Sequence, residues 1–218
     1  MDIGGYNQAK IEDLGDKIGE IGKQVANSVT EAVEESFVKP MSKLWFAPEA
    51  VEEFAGVQAA VETVAESLQQ AYNSYASWLE SMGAAWAART GGAAPVLAKV
   101  ANLLTHIDVG SIKTEDNGNI TLDEAQAVSI ADSMPALRAR LLADVKAKHD
   151  ALSAAAAFIG HGQDSAAKEC FSKVADAIGD LFKLLETFGE RIHGYAEEYQ
   201  KVGEEIASQL RSANMSIN

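Results

Sequence analysis

The sequence predicts an all-α protein, an elongated four-helix bundle made of two long helical hairpins. Apolar residues recur at spacings of three and four over most of the chain, which places them on one face of a helix. Only four prolines occur in 218 residues, and alanine is frequent inside the periodic segments. A chain of this length can bury a substantial core.

The first predicted helix runs from Asn7 to Val38. Lys39-Pro40 is expected to interrupt it, because proline disfavours helix at the residue before it. Gly15, Gly19 and Gly22 lie within the helix, which indicates either close contact with a partner helix or a frayed end. The apolar stripe consists of Ile11, Leu14, Ile18, Ile21, Val25, Val29, Val33 and Phe37.

The second predicted helix begins near Pro48, where proline suits the first turn, and ends at Gly91-Gly92. Some forty residues at the helical rise give a rod about 60 Å long. The corner between these two helices carries Trp45. As the largest side chain at a tight corner, Trp45 is expected to pack the bundle or to contact a partner.

A linker region is expected between the hairpins. The spacing of its apolar residues predicts a short helix from Pro95 to Ile107. A small β-hairpin is predicted from Ser111–Thr114 and Asn119–Thr121, because the dipeptide Asn117-Gly118 between them suits a tight turn.

The second hairpin is predicted from a helix that starts at Thr121, where Thr121 and Glu124 have the spacing of a capping box. Ser133-Met134-Pro135 is expected to break or kink this helix. Residues 158–164 form the predicted second corner, and a last helix is expected from Ser165 to Arg211. The predicted division is therefore 1–92, 93–120 and 121–218, packed as one bundle.

Composition excludes several functional classes. The chain has 32 acidic and 18 basic residues, a net charge of −14, which disfavours nucleic acid and anionic membrane surfaces as partners. The single cysteine, Cys170, excludes an intramolecular disulfide and is expected to be a small buried side chain. No basic segment followed by an apolar one opens the sequence, so export by a cleaved signal peptide is not expected.

The sequence predicts no enzyme, no cofactor and no metal site. Glu190 and His193 have the spacing of a di-iron helix motif, but such a site needs a second copy and two more glutamates. The segment Lys113–Glu124 has part of the pattern of a calcium loop, yet its first position is a lysine where the ion needs an oxygen. Whether this loop binds calcium is left open.

The first corner resembles that of the WXG-type substrates of bacterial type VII (ESX) secretion. Trp45-Phe46-Ala47 stands where that family has its Trp-x-Gly corner, with alanine in place of glycine, and Ala50 and Phe54 follow as the small and aromatic positions. The proteins of that family are small, leaderless and acidic, with about a hundred residues, and their antiparallel hairpins pair into four-helix bundles. The resemblance implies the same kind of bundle here.

The second half is similar to actinobacterial members of the same family. It contains the segments NITLDEAQAV, FIGHGQDSAAKECF and LETFGERIHGYAEEYQKVGEEIA. The second corner has no tryptophan, and Phe158 stands in the position of the family's corner tryptophan. The family's export signal is a tyrosine with an acid four residues later, and neither tyrosine meets it: Tyr195 is followed at that spacing by Tyr199, and Tyr199 by Gly203.

The resemblance implies a non-enzymatic protein, made in the cytoplasm and secreted without a cleaved signal peptide. Recognition of the secretion machinery, and of any co-secreted partner, is expected through Tyr195, Tyr199, Glu204 and Glu205, with Trp45, Ala47 and Phe54 at the corner. A helical pore-forming or translocator protein, inserting through Ala84–Ala98, is an alternative. A structural protein of a phage or cell-surface assembly is another. Monomer and homo-oligomer both stay open.

Overall fold

The computed structural model describes residues 7–103, 107, 114, 119–160 and 162–215. They form an all-α bundle of two antiparallel hairpins, which confirms the predicted fold class. Within that part of the chain the only sheet is a pair of two-residue strands.

The first helical segment is longer than predicted. Helix α1 (Gln8–Val33) is capped by the Asn7 side chain, and the chain continues through a π-helical turn (Glu34–Val38) into the short helix α2 (Lys39–Met41). The predicted interruption at Lys39-Pro40 is therefore wrong. In the π turn the Lys39 N–H bonds to the Glu34 carbonyl five residues back. This wider turn lets the helical path pass a proline, whose ring would otherwise collide with the preceding turn.

Helix α3 (Pro48–Thr90) begins and ends where the sequence predicts. Its 43 residues give a length of about 65 Å. Gly91 ends it in the left-handed conformation, with a φ of 71°, and its N–H bonds to the Ala87 carbonyl. A residue with a Cβ would be strained there, so glycine fixes this end of the helix.

The predicted helix Pro95–Ile107 is wrong, because the described residues of this segment, 95–103 and 107, form no helix. We call residues 92–103 the strap. It runs back along α3, whose side chains bind its backbone. The Glu80 carboxylate accepts from the Leu97 N–H at 2.7 Å. The Asn73 amide accepts from the Val100 N–H at 2.7 Å and donates to the Val100 carbonyl at 2.8 Å.

Extended chain fits here because its rise matches the spacing of the α3 side chains. The seven residues from Asn73 to Glu80 rise about 10 Å in a helix. The three residues from Leu97 to Val100 cover about 10 Å in extended conformation. A helical strap would rise only about 4.5 Å over the same three residues and would miss one of the two partners. The same pattern continues at Ile107, whose N–H donates to the Gln58 side chain at 2.8 Å.

Glycines on the bundle surface make room for the strap. A Cβ on Gly83 would lie 2.3 Å from the Pro95 ring, and one on Gly15 would lie 2.7 Å from the Leu97 side chain. Gly19 has open space around its Cβ position. The close-contact interpretation therefore holds at Gly15, where the neighbour is the strap, and at Gly22, where a Cβ would lie 3.2 Å from the Tyr72 ring of helix α3.

Strand β1 (Trp45–Phe46) pairs antiparallel with strand β2 (Thr121–Leu122), so the first corner is joined to the start of the second hairpin. The predicted turn at Asn117-Gly118 and the residues 111–113 lie outside the described residues. Because Thr121 belongs to a strand, it does not cap the next helix. Asp123 does so, and its carboxylate accepts from the Gln126 N–H.

The described part of the second hairpin contains four α-helices and a short 3-10 helix, Ala157–Ile159, at the second corner. Helices α4 (Glu124–Asp132) and α5 (Met134–Ala156) are separated at Ser133, which confirms the predicted break. After the second corner, helices α6 (Gln163–Glu186) and α7 (Phe188–Met215) replace the single helix predicted from Ser165. The helix is interrupted at Thr187. The Thr187 hydroxyl donates to the Leu184 carbonyl and so competes with the backbone hydrogen bonds of the helix.

One continuous core joins the hairpins. Helix α3 packs against α1 and α6, α5 packs against the same two helices, and α4 packs against α7. We call the end with Trp45, β1 and β2 the corner end, and the opposite end, with the start of α1 and the second corner, the far end. The bulkiest fully buried side chains are Trp45, Tyr72, Phe37, Phe54, Phe182 and Phe188.

A histidine lies in the middle of this core. His149 is 5 % exposed, and its Nε2 lies 2.9 Å from the Tyr72 hydroxyl. The ring also contacts Phe171, with ring centroids 5.3 Å apart. Burial lowers the pKa of His149 from 6.5 to about 4, against a small opposing effect of Asp150. The imidazole is therefore neutral in the folded protein at physiological pH.

His149 should make the folded state sensitive to acid. As pH falls below 6.5, the unfolded chain binds a proton at this residue, while the folded chain does not until about pH 4. The stabilisation that comes from the neutral His149 is thus fully present above pH 6.5. It is lost as the pH falls from 6.5 to about 4, by about 3 kcal/mol in total. His149→Gln keeps an acceptor for Tyr72 but does not titrate. Urea unfolding at pH 7 and near pH 4 should show a smaller acid loss in the variant; equal losses would contradict the assignment.

The position of the strap on α3 can be tested with two helical glycines, which differ in what an added Cβ would contact. Gly83→Ala must displace Pro95 and should lower the free energy of unfolding by about 1–3 kcal/mol. Gly19→Ala meets nothing and should raise it by about 0.5–1 kcal/mol through helix propensity. Urea unfolding measures both. Equal stabilisation by the two substitutions would show that the strap does not lie on α3.

Candidate functional site

The candidate site is the corner end, where the tryptophan of the first hairpin meets the last helix of the second. The Trp45 side chain is fully buried. Its ring centroid lies 5.1 Å from that of Tyr195 and 6.5 Å from that of Phe54. The indole N–H donates to the Tyr199 hydroxyl at 3.4 Å. The sequence leaves open whether Trp45 packs the bundle or contacts a partner. Its burial agrees with packing of the bundle.

The residues that follow the tryptophan are buried as well. Ala47 and Phe54 are both 0 % exposed. Ala47 precedes the first turn of α3 in extended backbone, with φ of −159°, and its carbonyl accepts from the Ala50 N–H. Any residue can adopt that conformation, so this corner does not require the glycine of the Trp-x-Gly pattern.

The two tyrosines of α7 face inward and bind the start of α3. The Tyr195 hydroxyl donates to Glu53 at 3.1 Å, and the Tyr199 hydroxyl donates to Glu49 at 2.9 Å. Arg191 pairs with the same Glu53 carboxylate. Burial raises the pKa of Tyr199 to about 12, and the Glu49 carboxylate adds to the rise. Both tyrosines are thus neutral hydrogen-bond donors that tie α7 to α3.

Glu204 and Glu205 lie elsewhere. Both are exposed, on the part of α7 that extends beyond the bundle. Glu204 is five residues past Tyr199, which places it about 140° further round the helix. The predicted surface of Tyr195, Tyr199, Glu204 and Glu205 therefore divides into an inward pair and an outward pair. The structure brings the tyrosines, Trp45 and Phe54 together, and it leaves the two glutamates apart.

We call residues 200–212 of α7 the overhang. Among residues 201–212 only Ala207 is half-buried, and the others are exposed. Thirteen helical residues give the overhang a length of about 20 Å. The apolar stripe that packs Phe188, Ile192 and the tyrosines onto the bundle continues along it. Three stripe residues are exposed there: Val202 at 50 %, Ile206 at 53 % and Leu210 at 63 %.

Sequence reasoning missed the partners of the tyrosines. Glu49, Glu53 and Arg191 complete the contact between α3 and α7. The available signal was a matching spacing, since Glu49 and Glu53 are four residues apart on one helix and Tyr195 and Tyr199 are four apart on another. It could have suggested that two helical faces meet.

The other candidate chemical groups have structural partners. Glu124, the last residue of the calcium-like segment, contacts the His193 ring. Residues 113 and 115–118 of that segment lie outside the described residues. Within the described part of the chain, no three His, Cys, Asp or Glu side chains gather in a way that could hold a metal ion. Cys170 is 3 % exposed, and burial raises its pKa to about 12, so its sulfur is a thiol at neutral pH.

Comparison with protein-family models, with curated proteins and with solved structures finds no match to this chain. Among the helices of the described residues, none has the length and apolar character needed to cross a membrane.

The burial of Trp45 leads to a stability prediction. Trp45→Ala should lower the free energy of unfolding by about 3–5 kcal/mol, because it leaves a large cavity in the core. Trp86→Ala is the control, since Trp86 is only half-buried, in the last turns of α3, and should cost less. Chemical denaturation followed by circular dichroism measures both. A loss at Trp45 no larger than at Trp86 would mean that the corner does not hold the hairpins together.

Proposed function

We propose that this chain is a non-enzymatic secreted protein of a bacterial type VII (ESX-like) secretion system, acting by protein–protein recognition as a substrate or a co-secreted partner. One observation carries the proposal. A buried tryptophan marks the tight corner between two long antiparallel helices and packs on the tyrosine-bearing last helix of a second hairpin. A tryptophan corner between the helices of an antiparallel hairpin, within a four-helix bundle, is what the resemblance to WXG-type proteins implies.

The proposal includes a specific role for the second hairpin. In the proteins that this chain resembles, two separate hairpins pair into a bundle. Here α3 packs on α6, and α1 packs on α5, within one chain. Strand β1 of the first hairpin also pairs with β2 of the second. The second hairpin therefore occupies the position of a partner subunit, and the single chain can be the exported unit.

The overhang is the part of the molecule best placed for recognition by the secretion machinery. Tyr195 and Tyr199 already donate to Glu53 and Glu49, so a receptor would have to break these bonds to bind them. Glu204 and Glu205 are exposed on the overhang, where Ala207 is the one half-buried residue among residues 201–212. Recognition through the overhang would leave the bundle intact.

Secretion can be tested in a bacterium that has a type VII system. The full chain should reach the culture medium when the system's ATPase is intact and should stay in the cells when the ATPase gene is deleted. Secretion unaffected by that deletion would contradict the proposal.

A truncation separates recognition from folding. Ending the chain after Gln200 removes residues 201–212, which are exposed except for Ala207, together with the residues after them. Thermal unfolding should therefore change little while secretion is lost. Lys23→Glu, an exposed change on α1, is the control and should be secreted normally. Normal secretion of the truncated chain would place recognition elsewhere on the molecule.

A further inference from the structure

The strap lies on the bundle without being part of its helices. Residues 94–103 make no backbone–backbone hydrogen bond with any described residue. Two α3 side chains bind this backbone instead, that of Glu80 at Leu97 and that of Asn73 at Val100. A helix keeps its internal hydrogen bonds when a neighbour moves, because they join residues of the same segment. The strap loses all three of these bonds when it moves away from α3.

Three buried side chains of the strap each lie over a glycine of the helices. The pairs are Pro95 with Gly83, Leu97 with Gly15, and Val100 with Gly22. Because glycine has no side chain, the strap rests in gaps of the helix surface and can leave them without a side chain of that position having to move. Between the buried residues the strap faces solvent, and Val96 is 82 % exposed.

The bundle is packed beneath the strap. Helices α1 and α3 contact each other directly, and α5 and α6 of the second hairpin pack against them. The strap adds only four buried side chains to this core, those of Pro95, Leu97, Val100 and Leu103. Segments with few buried apolar contacts open at a lower free energy than the core of the same protein. The helices therefore have contacts that persist when the strap is displaced.

A flexible joint precedes the strap. Gly91 ends α3 with a φ of 71°, and Gly92 follows as a second residue without a Cβ. Two successive glycines permit a wide range of backbone angles, which suits a hinge. The Gly92 N–H donates to the Ala87 carbonyl, so the end of α3 stays closed when the residues after Gly92 move.

We propose that the strap is a cover that opens as one unit about Gly91-Gly92 while the bundle stays folded, and that the Asn73 side chain is its latch. Asn73 makes two of the three hydrogen bonds that join residues 94–103 to α3, one as acceptor and one as donor. Opening uncovers a groove of α1 and α3 that contains Gly15, Gly22 and one edge of the Tyr72 ring. The closed strap keeps this groove from solvent, and the latch controls access to it.

Native-state hydrogen exchange of the full chain tests the opening. In the wild type, the Leu97 and Val100 amides should have protection factors equal within about threefold, and should exchange at least about a hundredfold faster than the amide of Ile178, which is fully buried in α6. Asn73→Ala should raise the exchange of both strap amides at least about tenfold. Leu97 is the informative one, because its own bond to Glu80 is untouched.

Variants at Glu80 test the same unit from its other contact. Glu80→Ala should speed exchange at Val100 as well as at Leu97, and Glu80→Gln, which keeps an acceptor, should restore most of the protection. Ser74→Ala is the matched control. Ser74 is the neighbour of Asn73, but its hydroxyl donates to the Gln70 carbonyl within α3, so the strap amides should exchange as in the wild type.

Three results would overturn the proposal. Faster exchange only at the amide whose own acceptor was removed would mean that each bond opens alone. Strap amides that exchange as slowly as Ile178 in the wild type would mean that the strap opens only when the whole bundle unfolds. Equal acceleration at Ile178 in the Asn73 and Glu80 variants would mean that these side chains stabilise the bundle and not the strap. Secretion plays no part in these measurements, so opening of the strap and the proposed function can each fail alone.

Discussion

The buried indole of Trp45 is the contact on which the arrangement of the two hairpins depends. It packs against Phe54 of its own hairpin and against Tyr195 of the other, and its N–H reaches Tyr199. The pairing of β1 with β2 holds the start of the second hairpin beside the same corner. Since residues far apart in sequence meet here, the corner sets the register of α7 against α3. The position of the overhang follows from that register.

The long helices could be predicted because their apolar spacing depends only on local geometry. The strap could not. Its buried residues Leu97, Val100 and Leu103 have the spacing of a helix face, although the backbone is not helical. The spacing arises because the strap follows the face of another helix, where Asn73 and Glu80 supply hydrogen bonds that a helix would make internally. A sequence pattern does not distinguish a helix from a chain that lies along one.

The candidate site, like the fold, could be predicted from the sequence only in part. A tryptophan at a tight corner could be identified from its neighbours in sequence, and so could the tyrosine-rich last helix. The bonds of Tyr195 and Tyr199 to Glu53 and Glu49 could not, because they join residues about 150 positions apart whose pairing depends on the register of two hairpins. The separation of Glu204 and Glu205 from the tyrosines depends on where the bundle ends. Only the assembled fold determines that.

The joining of two hairpins in one chain also determines where recognition can occur. In a pair of separate hairpins, the helix faces that bind the partner are themselves recognition surfaces. Here the second hairpin covers those faces of α1 and α3 permanently, and the strap covers part of the groove beside them. Among the described residues, the large apolar side chains that stay exposed lie on the overhang and at the two ends of the bundle. Recognition through the overhang, as we propose it, would leave the sides of the bundle free of contacts, so a change there, such as Lys23→Glu, is a fair control.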